Sequence, residues 1–234
     1  MKLPNQSFQR FLFAGILAVS FFAATAFAGP PLICHSFDID GAKSLPWASH
    51  DWNLSGGENY DTAKLVADTL AILDSNQVTL VHMETLRRAT LYARKDRVAA
   101  KELMIRLMAR AEGTKSAAPT TAQPSALAIF DAGYLTETYK QWLGEENNPA
   151  QRFDGYALVQ LALQRRGEDP QMEFAAALIA VDKPAIDAHD HAQKAIAGAK
   201  NDPLLARNLS AKFLGTQSDT LSTMITRTKL AAKE

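Results

Sequence analysis

The sequence predicts an all-α protein: antiparallel helical hairpins, forming a tetratricopeptide-like solenoid fragment or an irregular bundle, preceded by an extended N-terminal arm. Three observations predict it. Residues 61–112 carry apolar side chains at helical spacing in three consecutive runs, and residues 125–215 continue in the same style. Asp, Ser, Pro and Gly stand where helices start and stop. Between Pro30 and Gly57, by contrast, Pro and Gly recur and no helical stripe forms.

The chain of 234 residues, 47% hydrophobic and 21% charged, has an ordinary globular composition. Residues 1–28 are expected to be a signal peptide. Lys2 and Arg10 precede an apolar run from Phe11 to Phe22, and Ala26-Phe27-Ala28 supplies the small-x-small cleavage site. Removing those 28 residues leaves 206 and takes the formal net charge from 0 to −2. The product is expected to be periplasmic or extracellular, touching the membrane only through its leader. Cys34 is the sole cysteine, so no intrachain disulfide can form and the fold must rest on its core. Ile33 precedes Cys34 where a lipobox needs a small residue, which argues against lipidation.

Residues 29–60 form the predicted arm. Leu32, Ile33, Phe37, Leu45, Trp47 and Trp52 are too apolar for a loose linker, so the arm is expected to lie over the helices, anchored by its Trp and Phe side chains. A first helical lobe follows over 61–112. Ala63, Val66, Leu70 and Leu73 line one helix. Met83, Leu86, Ala89 and Ala93, widened by Val81 and Tyr92, line a second. Ala100, Leu103, Leu107 and Ala111, joined by Met104 and Met108, line a third. Asp61 and Asp96 are placed as N-caps and Gly113 as a stop.

Residues 113–124, rich in Ser, Thr, Ala and Pro, read as a linker. A second lobe covers 125–215. Ser125 caps a helix whose aromatic stripe includes Phe130, Tyr134, Tyr139 and Trp142 and which ends at Gly144. A further helix spans Phe153 to Arg166, closed by Gly167. Asp169-Pro170, Lys183-Pro184 and Asp202-Pro203 each put Pro where the first helical residue has a spare N–H. Leu205, Leu209 and Phe213 mark the last strong helix, and residues 216–234 a weak helix or tail.

The runs GPPLICHSFDIDGAKSLPW, METLRRATLYARKD and GYALVQLALQRRGEDPQMEFAAALI resemble an uncharacterised family of exported bacterial proteins with no assigned activity. The resemblance implies export and a helical fold, and supplies no catalytic residues. Pro170 and Pro203 stand 33 residues apart, and AQKAIAGAKNDPLLARNL is similar to the junction of two tetratricopeptide repeats. The small and aromatic landmarks earlier in that unit are mostly missing.

Chemistry-bearing patterns are sparse. The chain has no G-x-S-x-G, H-E-x-x-H, P-loop or C-x-x-C, so catalysis is not indicated and no cofactor is expected. Cys34 beside His35, with His50 nearby, offers an alternative: a transition-metal or haem site. Asp38-Ile39-Asp40-Gly41 resembles the start of a calcium loop but lacks its third Asp and closing Glu. Asp187 and His191, four apart, share a helix face, whereas His189 sits with Ile186 and Ile196.

Residues 87–115 hold nine basic side chains against Asp96, Glu102 and Glu112, whereas residues 131–190 hold eleven acidic against five basic. An exported, net-acidic chain makes a poor nucleic-acid binder, so the basic face is expected to meet protein, including the acidic stretch within the same chain or in another copy. The sequence therefore points to a non-catalytic scaffold that binds a protein partner between helix pairs. Its candidate contacts are Arg87, Arg88, Arg97, Lys101 and Arg106 on the basic face and Tyr134, Tyr139 and Trp142 on the aromatic stripe.

Overall fold

A computed structural model describes residues 30–34, 36–47, 54, 57, 59–113, 125–181 and 185–213, excluding the side chains of 185–187 and of 212 and 213. The expected signal peptide, most of the linker, the Lys183-Pro184 helix start and the weak C-terminal segment lie outside these residues, as do His35, His50 and Trp52. Within them the protein is all-α, arranged as helical hairpins, with eight α-helices and no strand. The helices are α1 (Leu65–Ser75), α2 (Thr79–Ala93), α3 (Arg97–Glu112), α4 (Ala126–Trp142), α5 (Gly155–Arg166), α6 (Pro170–Ala180), α7 (Ala185–Gly198) and α8 (Pro203–Phe213).

Local chemistry sets most of the boundaries. Asp96 accepts from the N–H groups of Val98 and Ala99, Ser125 from Ala128, and Asp169 from Gln171 and Met172. Each satisfies first-turn donors that have no partner inside the helix. Gly113, Gly144 and Gly167 end α3, α4 and α5 with φ of 73°, 73° and 79°, a region that disfavours a side chain. Two expectations shift. The helix expected from Phe153 begins at Gly155, because Asp154 caps it through the Ala157 N–H. Asp61 caps a 3₁₀ turn over Thr62–Lys64 rather than α1 itself. That tighter turn changes the helical phase. Leu65, Thr69, Ile72 and Leu73 are therefore the buried stripe of α1, whereas Ala63 is exposed and Val66 and Leu70 are only half-buried.

The helices from 61–112 and from 125–213 share one apolar core. Its axis is the pair α2 and α4. Each packs against the other and against α6, while α1 and α3 flank α2 and α3 and α5 flank α4. Met83, Leu86, Ala89 and Ala93 are buried as expected, but so is every other α2 residue except Arg88. The expected amphipathic helix is thus enclosed all round. Glycine sets how closely the hairpins shut. A Cβ on Gly155 would stand 2.5 Å from the Gly133 carbonyl oxygen, and one on Gly198 would stand 2.2 Å from Pro170 Cβ. Backbone meets backbone where α5 crosses α4.

Polar pins tie α2 to α4 within this core. His82 Nδ1 lies 2.6 Å from Asp131, and its Nε2 lies 3.1 Å from the Asn76 carbonyl. The hydroxyls of Thr90 and Thr138 meet at 2.9 Å. Burial pushes the His82 pKa down, but the Asp131 charge, its hydrogen bond and the Asn76 carbonyl outweigh burial and hold it above the ordinary value.

Candidate functional site: the groove that holds the arm

Residues 30–34 and 36–47 lie over α2, α4, α6 and α8, and they are not uniformly extended. Pro30 O accepts from the Ile33 and Cys34 N–H groups in one turn, and Asp40 and Gly41, with φ of 54° and 74°, make a second. Leu32, Ile33, Phe37, Ile39 and Leu45 are buried, while Trp47 is half-buried. Phe37 is an anchor as expected and Trp47 packs partly buried beside Tyr92 and Arg87, but most of the deep anchors are aliphatic. Phe37 meets Phe174 of α6 edge-on at 6.0 Å.

Helix side chains hold the arm by its backbone. Gln141 accepts from the Leu32 N–H, and Glu84 accepts from the Phe37 N–H at 2.9 Å. Arg87 donates to the Ile33 carbonyl at 2.9 Å and Arg88 to the Leu45 carbonyl at 2.6 Å. Asn208 takes both backbone groups of Asp38, accepting from its N–H and donating to its carbonyl, each at 2.9 Å. The Tyr92 hydroxyl donates to the Pro46 carbonyl.

Glu84 is the centre of this set. Its Oε2 accepts from Phe37 N and Arg87 Nε, and its Oε1 from Arg87 and Arg88. A fully buried carboxylate is tolerated because both oxygens are saturated by donors, three of them cationic. At the far end, Arg207 of α8 pairs with Asp38 and Asp40. The Asp40 N–H, opposed by burial and helped by Arg207, holds the Asp38 carboxyl below the usual carboxylate range. The Asp38–Asp40 pair, resembling the start of a calcium loop in sequence, is thus engaged by a guanidinium.

The expected contact residues divide sharply. Arg87 is buried, and its guanidinium also covers the Trp47 ring at 5.1 Å. Arg88 is half-buried against Glu84. Tyr134 and Tyr139 are buried core residues and cannot present a docking stripe: Tyr134 stacks on Phe130, and Tyr139 donates to the Ala100 carbonyl. Neutral burial pushes both phenols well up. Trp142 is half-buried beneath the Arg94 guanidinium at 4.7 Å. The correction has one cause: a stripe of aromatics at helical spacing signals burial, and α4 is buried on nearly all sides.

Arg97, Lys101 and Arg106 remain on the exposed face of α3. Arg97 donates to the Leu143 carbonyl and Arg106 pairs with Glu102. Two large apolar side chains share that face, Val98 at 79% and Ile105 at 54% exposure. On the acidic side, Asp131, Glu137, Asp169 and Glu173 are already paired within the chain, with His82, Lys140, Arg166 and His191. Self-association through complementary charge therefore has fewer charges to draw on than the sequence suggested.

Cys34 is half-buried on the arm and joins no disulfide, and neither histidine of the metal alternative is described. No group of three or more His, Cys, Asp or Glu placed to hold a metal occurs among the described residues. Two histidine–carboxylate pairs, His82–Asp131 and His191–Glu173, are of the kind used in acid–base chemistry. Both rings are enclosed: His82 has each nitrogen engaged at 2% exposure, and His191 lies between Glu173 on one side and Tyr156 and Gln160 on the other. Glu173 of α6 is the carboxylate bonded to His191, and the side chain of Asp187 lies outside the described residues. His189 is half-buried and bonded to Gln193.

Sequence reasoning missed Glu84, Gln141, Arg207 and Asn208. The Glu84–Arg87–Arg88 spacing was visible, but i,i+3 and i,i+4 charges are ordinary on solvated helices. Comparison with protein families, curated proteins and solved structures finds no match to this chain.

Proposed function

We propose that this protein is an exported, non-catalytic helical scaffold that binds a protein partner in a groove between its helices. The arm groove supports this reading best. Seven backbone groups of residues 32–46 are bonded by side chains from α2, α4 and α8. Side chains that bond a main chain accept many sequences, and apolar pockets between them choose among those sequences. Both enclosed histidine pairs fit a structural role better than proton transfer to a substrate. Periplasmic or extracellular residence rests on residues 1–28, and among the described residues no helix is long and apolar enough to cross a membrane.

Site-specific photo-crosslinking in cells that produce the protein tests this reading. A benzophenone side chain at Lys43, on the exposed edge of the arm, should yield one discrete protein adduct. The same probe at Lys101, among Val98 and Ile105 on α3, should not. Adducts only from position 101 would move the partner to the α3 face, and none from either position would end the scaffold reading.

A further inference from the structure

The arm resembles a ligand more than it resembles a ninth structural element. Its described residues form no helix, and main-chain bonds to side chains of three helices hold it in place. Asn208 is the clearest sign. Its amide matches the N–H and the C=O of one residue at once, a pairing indifferent to the side chain that residue carries. Glu84, Arg87 and Arg88 likewise direct their hydrogen bonds to arm backbone, although Arg87 also covers the Trp47 ring. Selectivity comes from three places: the apolar seats of Leu32 and Ile33, the seat of Phe37 against Phe174, and Arg207 on the two Asp carboxylates.

We propose that the arm is a cis-acting plug, and that the groove beneath it receives a non-helical polypeptide segment of the same chemistry from a partner. That segment carries two adjacent aliphatic residues, an aromatic residue four positions after the second of them, and carboxylates one and three positions after the aromatic. Charge complementarity favours an acidic occupant. Arg207 has both of its carboxylate partners on the arm, Asp38 and Asp40, whereas Arg87 and Arg88 share Glu84 of their own helix. The inference rests on the scaffold reading and adds to it the partner's chemical class and the element that regulates access. A tethered arm competes at an effective concentration of about millimolar, so partners bind well only when the arm is loosened.

The test uses the purified protein and a fluorescent peptide of residues 30–47 with Cys34→Ser, read by fluorescence anisotropy. Phe37→Ala in the protein removes a buried anchor of the arm and leaves the groove intact. This protein should bind the peptide at least tenfold more tightly than the unaltered protein does. Adding Arg207→Ala should weaken that binding severalfold, and should make peptides with and without Asp38→Ala and Asp40→Ala bind alike. Circular dichroism checks that Phe37→Ala still folds. If it does not, the exposed pair Asp38→Asn and Asp40→Asn loosens the arm instead, with a gain of at least threefold expected. A folded, arm-loosened protein that binds the peptide no better than the unaltered one overturns the proposal, as does binding that ignores Arg207→Ala. If the peptide fails while position 43 still crosslinks a partner, the plug is wrong and the scaffold reading stands.

Discussion

Arg87 on α2 and Arg106 on α3 come from one basic run of the sequence, and each has a glutamate one helical turn before it. Glu84 and Arg87 meet at 2.8 Å where both are buried, whereas Glu102 and Arg106 meet at 3.4 Å in solvent. Spacings of three and four residues, each about one helical turn, give two different interactions. In water such a pair is worth about 0.3–0.5 kcal/mol, because both charges are solvated with or without each other. Beneath the arm, water is excluded, so each charge depends on the donors and acceptors around it. Helical spacing shows that two charges can touch, but the covering segment decides what the contact is worth.

Four changes would break or sharpen this comparison. Glu84→Ala leaves the buried Arg87 without its carboxylate, and should cost about 3–5 kcal/mol in urea unfolding. A cost under about 1 kcal/mol would mean that the clasp is open to water.

His82 extends the contrast to pH. Its folded pKa lies above its unfolded value, so the Asp131 pair contributes fully below pH of about 6.5 and its contribution fades as pH rises through the folded pKa. Asp131→Asn should remove that alkaline loss and cost about 1–3 kcal/mol near neutral pH. Stability curves that still fall in parallel above pH 7 would place the titrating group elsewhere.

Asp96 is an intermediate case, half-buried and capping α3. Asp96→Ala should cost about 1 kcal/mol. Its carboxyl is held low by the Ala99 N–H, with burial opposing and Thr62 and the Val98 N–H assisting, so this share is present above pH of about 4 and lost as pH falls through the folded pKa. Arg106→Ala should change stability by less than about 0.5 kcal/mol, and raising salt should shrink even that. A larger effect would show that the α3 face is covered by another molecule in solution.

The elements themselves were legible in the sequence because their causes are local. Asp96, Ser125 and Asp169 sit beside the N–H groups they satisfy, and Gly113, Gly144 and Gly167 take a backbone conformation that other residues resist. The stripe of α3 was also legible, since Ala100, Leu103, Met104 and Leu107 face one way and charged residues the other. The stripe of α1 was misphased by a 3₁₀ turn, a difference of one hydrogen bond that periodicity does not resolve. Tyr134 and Tyr139 form a stripe whose direction the sequence shows, but what lies against that stripe is set by distant helices.

By itself, the sequence determined that this chain is helical, where most of its helices begin and end, and that the stretch from Pro30 to Trp47 behaves differently. Only the tertiary structure decided that α2 is enclosed on every side, that Glu84 binds the arm rather than water, and that Asn208 meets Asp38 across 170 positions of chain. Caps and stripes depend on neighbours within a turn or two of helix. Burial of a charge depends on segments far away in sequence, and its free energy is set by the water they exclude.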